Sequence, residues 1–115
     1  MIISKSFRFD SAHKLENYKG KCENLHGHSF KLIVSCSGEA DPETGMIMDF
    51  HELGNIVEGK IISKLDHSYL NDIIKNPTCE NTLLWIKNEL KNSKLKNLKK
   101  LALYETDDAW CELEC

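Results

Sequence analysis

At every second position from 26 to 34 the chain carries a histidine or an apolar side chain: His26, His28, Phe30, Leu32 and Val34. Ser29, Lys31 and Ser35 fall on the other parity. A period of two is that of a β-strand, whose side chains leave alternate faces. The pattern predicts a strand from about Leu25 to Cys36 with both imidazoles aimed into one small volume at its entry. A shared metal ion requires that arrangement. Cys22, four residues before His26 in the preceding loop, can bring a thiol near the same spot. A catalytic zinc site uses three protein ligands and keeps one open position, so a third ligand has to come from elsewhere.

Residues 2 to 13 repeat the pattern. Ile3, Phe7, Phe9, Ser11 and His13 share one parity, and Ser4, Ser6, Arg8 and Asp10 share the other. This is a half-buried strand. Taken alone, a histidine on an apolar face is more often a hydrogen-bonded core residue than a ligand. Beside His26 and His28 that ordinary reading gives way. Antiparallel pairing through the loop Glu16 to Lys21 would set His13 next to the other two.

After Ser37-Gly38 the run Asp41-Pro42-Glu43-Thr44-Gly45 has turn chemistry. Asp49 followed by Glu52 resembles a capping box. Phe50, Leu53, Val57, Ile61 and Leu65 then form an apolar helical stripe expected to be core. The helix runs out at Asp66-His67, where two readings stand. Asp66 can orient the imidazole of His67, or the pair is a polar helix end facing the dipole, which these residues alone favour. Pro77 and Thr78 open a second helix, with Thr78 as N-cap and Leu83, Ile86 and Leu90 as its buried stripe. Lysines 87, 91, 94, 96, 99 and 100 make a basic surface patch, with attraction for a phosphorylated substrate the weaker alternative.

Two strands close the chain, Leu101 to Thr106 and Ala109 to Cys115, joined by a turn at Asp107-Asp108. Glu105 falls at the inward parity after two leucines. It is either solvated beyond the strand end or it accepts paired N–H donors from a ligand, since burial without a partner costs several kcal/mol. The order strand, strand, helix, helix, strand, strand predicts an α+β fold: one domain over residues 1–115, a four-stranded antiparallel sheet and two helices on one face. So small a sheet leaves edges open, and pairing them between subunits is the simplest remedy.

Composition narrows the function. At 115 residues with a net charge of -3, nothing suggests a nucleic-acid partner. No apolar run approaches the roughly 20 residues that cross a bilayer. The N-terminus lacks a basic stretch leading into a long apolar one, so a cytoplasmic protein without a signal peptide is expected. Five cysteines without Cys-x-x-Cys spacing read as free thiols, and only Cys22 has histidines beside it. Three imidazoles on zinc with a thiolate alongside can take a proton from carbon next to a metal-bound oxygen. That chemistry leads to tautomerisation, elimination or carbon–carbon cleavage.

Six motifs together resemble the 6-pyruvoyltetrahydropterin synthase and 6-carboxytetrahydropterin synthase family. They are Phe9-x-x-Ala12-His13, Cys22-x-x-x-His26-Gly-His28, Met48-Asp49-Phe50, Leu65-Asp66-His67-x-x-Leu70-Asn71, Pro77-Thr78-x-Glu80-Asn81 and Tyr104-Glu105-Thr106. The resemblance implies that His13, His26 and His28 bind Zn2+ and that Cys22 is the catalytic thiol. Asp66 and His67 would complete its proton-transfer set. Glu105 would hold the pyrimidine edge of a pterin, and Thr78, Glu80 and Thr106 match positions that shape the substrate pocket or support the second helix. It further implies the tunnelling fold (T-fold), a barrel of several subunits, commonly a homohexamer, with active sites between neighbours. The short chain looks most like the 6-carboxytetrahydropterin synthases of queuosine and 7-deazapurine biosynthesis. These convert 7,8-dihydroneopterin triphosphate to 6-carboxy-5,6,7,8-tetrahydropterin, acetaldehyde and triphosphate. Two departures stand beside this. Glu23 follows Cys22, a mark of relatives that cleave the side chain to 6-hydroxymethyl-dihydropterin, and Asn24 replaces a basic residue frequent in that loop.

Overall fold

Alternation in the first strand produces a twelve-residue hairpin ladder that organises the rest. The computed structural model describes residues 1–15 and 24–115. Strand β1 (Ile2–His13) pairs antiparallel with β2 (His26–Ser37) in unbroken register from Ile2↔Ser37 to His13↔His26. On the ladder's inner face Phe9 stacks on Phe30, with ring centroids 4.9 Å apart. Leu32, Val34 and Phe7 continue that buried face. Strand β4 (Leu98–Thr106) pairs with β2, and β5 (Ala109–Glu114) closes a hairpin against β4.

Turns and caps use the residues their geometry demands. The Asp41 carboxylate accepts the amides of Glu43 and Thr44 at 2.8 and 3.1 Å, and Gly45 takes the positive φ of 72° that ends the turn. Asp49 caps α1 (Phe50–Val57) by accepting the amide of His51 at 2.8 Å. The helical path continues through a π-helical turn (Glu58–Ile62) into α2 (Ser63–Leu65). The wider turn still buries Ile61 and adds Ile62 to the core. Thr78 caps α3 (Cys79–Lys91), its hydroxyl accepting the amide of Asn81 at 3.0 Å. Leu53, Val57, Leu65, Leu83, Ile86 and Leu90 cover the inner face of the sheet.

Two expectations change. The sheet has five strands rather than four, in the order β3-β1-β2-β4-β5, and it is not wholly antiparallel. The additional strand, β3 (Ser68–Tyr69), runs parallel to β1 with Ser11 opposite Ser68. It exists because the chain leaving α2 is tied to β1. The Ser11 hydroxyl donates to the Leu65 carbonyl, and the His67 amide donates to the Asp10 carbonyl at 2.6 Å. Phe50, placed in the buried stripe by its spacing, is 52% exposed: it is the first residue of α1, and burial begins one turn later at Leu53. Among the described residues no helix is long and apolar enough to cross a membrane.

Candidate metal and pterin site

The β1–β2 register delivers three imidazoles to one place. His13 faces His26 directly, and His28 lies opposite Ser11, one step along the same face. The three rings have centroids 4.5 to 5.1 Å apart. His13 is buried, while His26 and His28 are partly so.

Their hydrogen bonds fix the tautomers. His13 Nδ1 meets the Pro77 carbonyl at 2.8 Å, and His26 Nδ1 meets the Asn24 carbonyl at 2.8 Å. A carbonyl oxygen can only accept, so both Nδ1 atoms carry the proton. Both Nε2 atoms are then bare lone pairs in the neutral rings, and they stand 2.9 Å apart. Two bare lone pairs at that distance repel unless a cation lies between them. His28 adds a buried Nε2 with no hydrogen-bond partner among the described residues. Burial holds His28 below its ordinary pKa, with Glu105 opposing and His13 and His26 reinforcing the shift. This donor set, with backbone acceptors behind two of the rings, fits a divalent metal ion that prefers imidazole nitrogen.

Glu105 continues the inner parity of β4, and its Oε2 lies 3.9 Å from His28 Nε2. It shares a pocket of about 380 Å³ with Thr78, Glu80, Trp110, Leu15 and a pair of cysteines, Cys79 and Cys111. The Glu105 carboxylate offers a flat heterocycle an acceptor for paired N–H groups, while the Trp110 indole stacks on Tyr104, centroids 4.9 Å apart. Thr78 reaches this pocket, although its hydroxyl is committed to the α3 cap. Thr106 is exposed and donates to Asp108 at 2.7 Å in the β4–β5 turn.

Asp66 and His67 meet, although neighbours in sequence often diverge. His67 has a positive φ of 56°, which turns its ring back so that Nδ1 lies 3.1 Å from Asp66 Oδ2. The other Asp66 oxygen accepts the Asp10 amide at 2.9 Å. That amide, more than His67, holds the Asp66 carboxyl below the usual carboxylate range. Asp10 also accepts from the Ser29 hydroxyl. Asp10 and Ser29 have the parity opposite to the three clustered histidines. The Asp66–His67 pair therefore approaches the end of the sheet from the other face. A shallow depression of about 440 Å³, with His28 and His67 both in its wall, lies where the two faces meet. Asp10 and Ser29 carried no signal in the sequence beyond their polar parity. Cys22 and Glu23 lie outside the described residues.

The family model described as 6-pyruvoyl tetrahydropterin synthase matches residues 2–115. A protein of Archaeoglobus fulgidus provisionally named 6-carboxy-5,6,7,8-tetrahydropterin synthase is 42% identical over 98% of this chain and 95% of its own length. The dihydroneopterin monophosphate aldolase of Pyrococcus furiosus is 41% identical over 92% of this chain and 90% of its own. The structure of Caenorhabditis elegans 6-pyruvoyl tetrahydropterin synthase superposes with a TM-score of 0.90 at 25% identity, covering 100% of this chain and 95% of that one.

Proposed function

This chain belongs to the 6-pyruvoyl tetrahydropterin synthase family, and on that premise we propose that it is a zinc-dependent lyase acting on the side chain of a dihydropterin. The reading in full is conversion of 7,8-dihydroneopterin triphosphate and one water to 6-carboxy-5,6,7,8-tetrahydropterin, acetaldehyde and triphosphate. The observation that carries it is the facing pair of Nε2 atoms on His13 and His26, 2.9 Å apart, beside the His28 Nε2, which has no hydrogen-bond partner among the described residues.

In this reading His13, His26 and His28 would hold Zn2+, which would supply Lewis acidity to the carbon next to a substrate oxygen. Glu105 fixes the pterin by accepting N–H groups of its pyrimidine edge. Cys22 takes the proton from the side-chain carbon. Asp66 keeps His67 oriented to move a proton on the other face of the substrate. Because that pair and the imidazole cluster approach from opposite faces, a homo-oligomer in which neighbours complete each other's sites, as in a hexameric barrel, supports both roles. Place in queuosine or 7-deazapurine biosynthesis follows from the product.

A second reading has its own support. The 41% identical aldolase from Pyrococcus furiosus and Glu23 beside Cys22 favour cleavage to 6-hydroxymethyl-dihydropterin. Incubation with dihydroneopterin triphosphate, followed by mass analysis of the pterin, separates the two. A 6-carboxy product is expected. A 6-hydroxymethyl product would establish the aldolase, and no product from either the triphosphate or the monophosphate would overturn both. Cys22→Ala is expected to abolish turnover while leaving zinc near one per chain.

A further inference from the structure

The wall of the Glu105 pocket holds a second reactive arrangement that the pterin chemistry does not use. Cys79 is the first residue of α3, and Cys111 lies on β5 opposite Leu103. Their Sγ atoms are 2.9 Å apart, although 32 positions separate them in sequence. Both are free thiols, half-buried, and both border the pocket, so a small reagent entering it meets them.

We propose that Cys79 and Cys111 are a modification site, a dithiol that a low-molecular-weight disulfide converts reversibly into a cross-link between α3 and β5. The two sulfurs already lie closer than non-bonded packing requires. Contraction of about 0.9 Å completes a normal disulfide of about 2.05 Å. The roles within the pair are unequal. The Leu103 carbonyl can only accept, so the single S–H of Cys79 goes there, at 3.2 Å, and Cys111 donates to Cys79. The same cross-link forms whichever sulfur opens the exchange, for instance Cys111. Its thiolate attacks one sulfur of the reagent RSSR and expels RS⁻, leaving a mixed disulfide on Cys111. Cys79, giving up its proton, then attacks Cys111 Sγ and expels the second RS⁻. Two protein thiols are oxidised and one RSSR is reduced to two RSH. The bond Cys79 makes to the Leu103 carbonyl, 3.2 Å, is lost in the step. The product ties the first turn of α3 to the strand that carries Trp110.

The whole protein, treated with oxidised glutathione and then alkylated, is digested without reductant and its peptides weighed. One linked peptide pair joining Cys79 to Cys111, two hydrogens lighter than the separate peptides and released by dithiothreitol, is expected. Cys111→Ser and Cys79→Ser should each abolish that pair, and Cys115→Ser should keep it. Three results would overturn the proposal: both residues alkylated in full after oxidation, glutathione stably retained on Cys111, or Cys111 linked to another cysteine. None of these readouts involves turnover, so failure here is distinguishable from failure of the pterin reading.

Discussion

The β1–β2 ladder carries two aromatic pairs on one face, four residues apart on β1, and they behave in opposite ways. Phe9 and Phe30 stack almost parallel, at 12°, and are sealed from solvent. His13 and His26 meet at 64° with bare nitrogens facing each other. Backbone, register and face are shared, so side-chain chemistry alone separates a core from a site. The first pair is satisfied by its neighbours. The second is satisfied only by something added, and a fold that keeps it forgoes stability there for binding.

Breaking the apolar pair should have the largest effect. Phe30 is 1% exposed, and Phe30→Ala is expected to cost about 3–5 kcal/mol in urea unfolding, through lost burial and the cavity left behind. Converting the polar end into core sharpens the contrast. His28→Leu removes a buried nitrogen that has no partner among the described residues and should stabilise the metal-free protein by about 1–2 kcal/mol while abolishing metal binding. A stability loss in the metal-free state would mean that His28 is satisfied without a metal.

Thr78 tests whether the α3 entry serves the fold or the pocket. Loss of its cap in Thr78→Ala should cost about 1 kcal/mol. Any rise in KM beyond that points to direct contact with substrate. The smallest effect is a pH slope. Burial favours neutral His28 in the folded protein, so the unfolded chain binds more protons between the lowered value and the ordinary 6.5. Stability of the metal-free protein should therefore fall as pH drops below 6.5, and the slope should shrink in His28→Leu.

Much of this architecture can be read without coordinates wherever period and burial coincide. The alternation of Ile3, Phe7, Phe9 and His13 marks β1 to its last residue, and the Leu101, Leu103, Glu105 parity places the carboxylate on the inner face. The Thr78 cap is legible because Pro77 and the following stripe define the helix start. Legibility ends where tertiary contacts decide. Strand β3 is two residues long and depends on bonds between Asp10, Ser11 and the end of α2, none of which leaves a periodic trace. The Asp66–His67 contact requires a left-handed His67, which no local composition announces. Phe50 has helical spacing but stands exposed at the first position of α1, and spacing carries no information about where a partner layer stops. The cysteine pair joins positions with no motif between them, so only the packing of α3 on β5 reveals it.

The central claim is that one zinc ion sits among His13, His26 and His28. Zinc K-edge X-ray absorption on the zinc-loaded protein tests it without reference to turnover. Three imidazole nitrogens at about 2.0–2.1 Å, a further light scatterer and no sulfur are predicted. A sulfur shell near 2.3 Å, or fewer than three imidazoles, would contradict it.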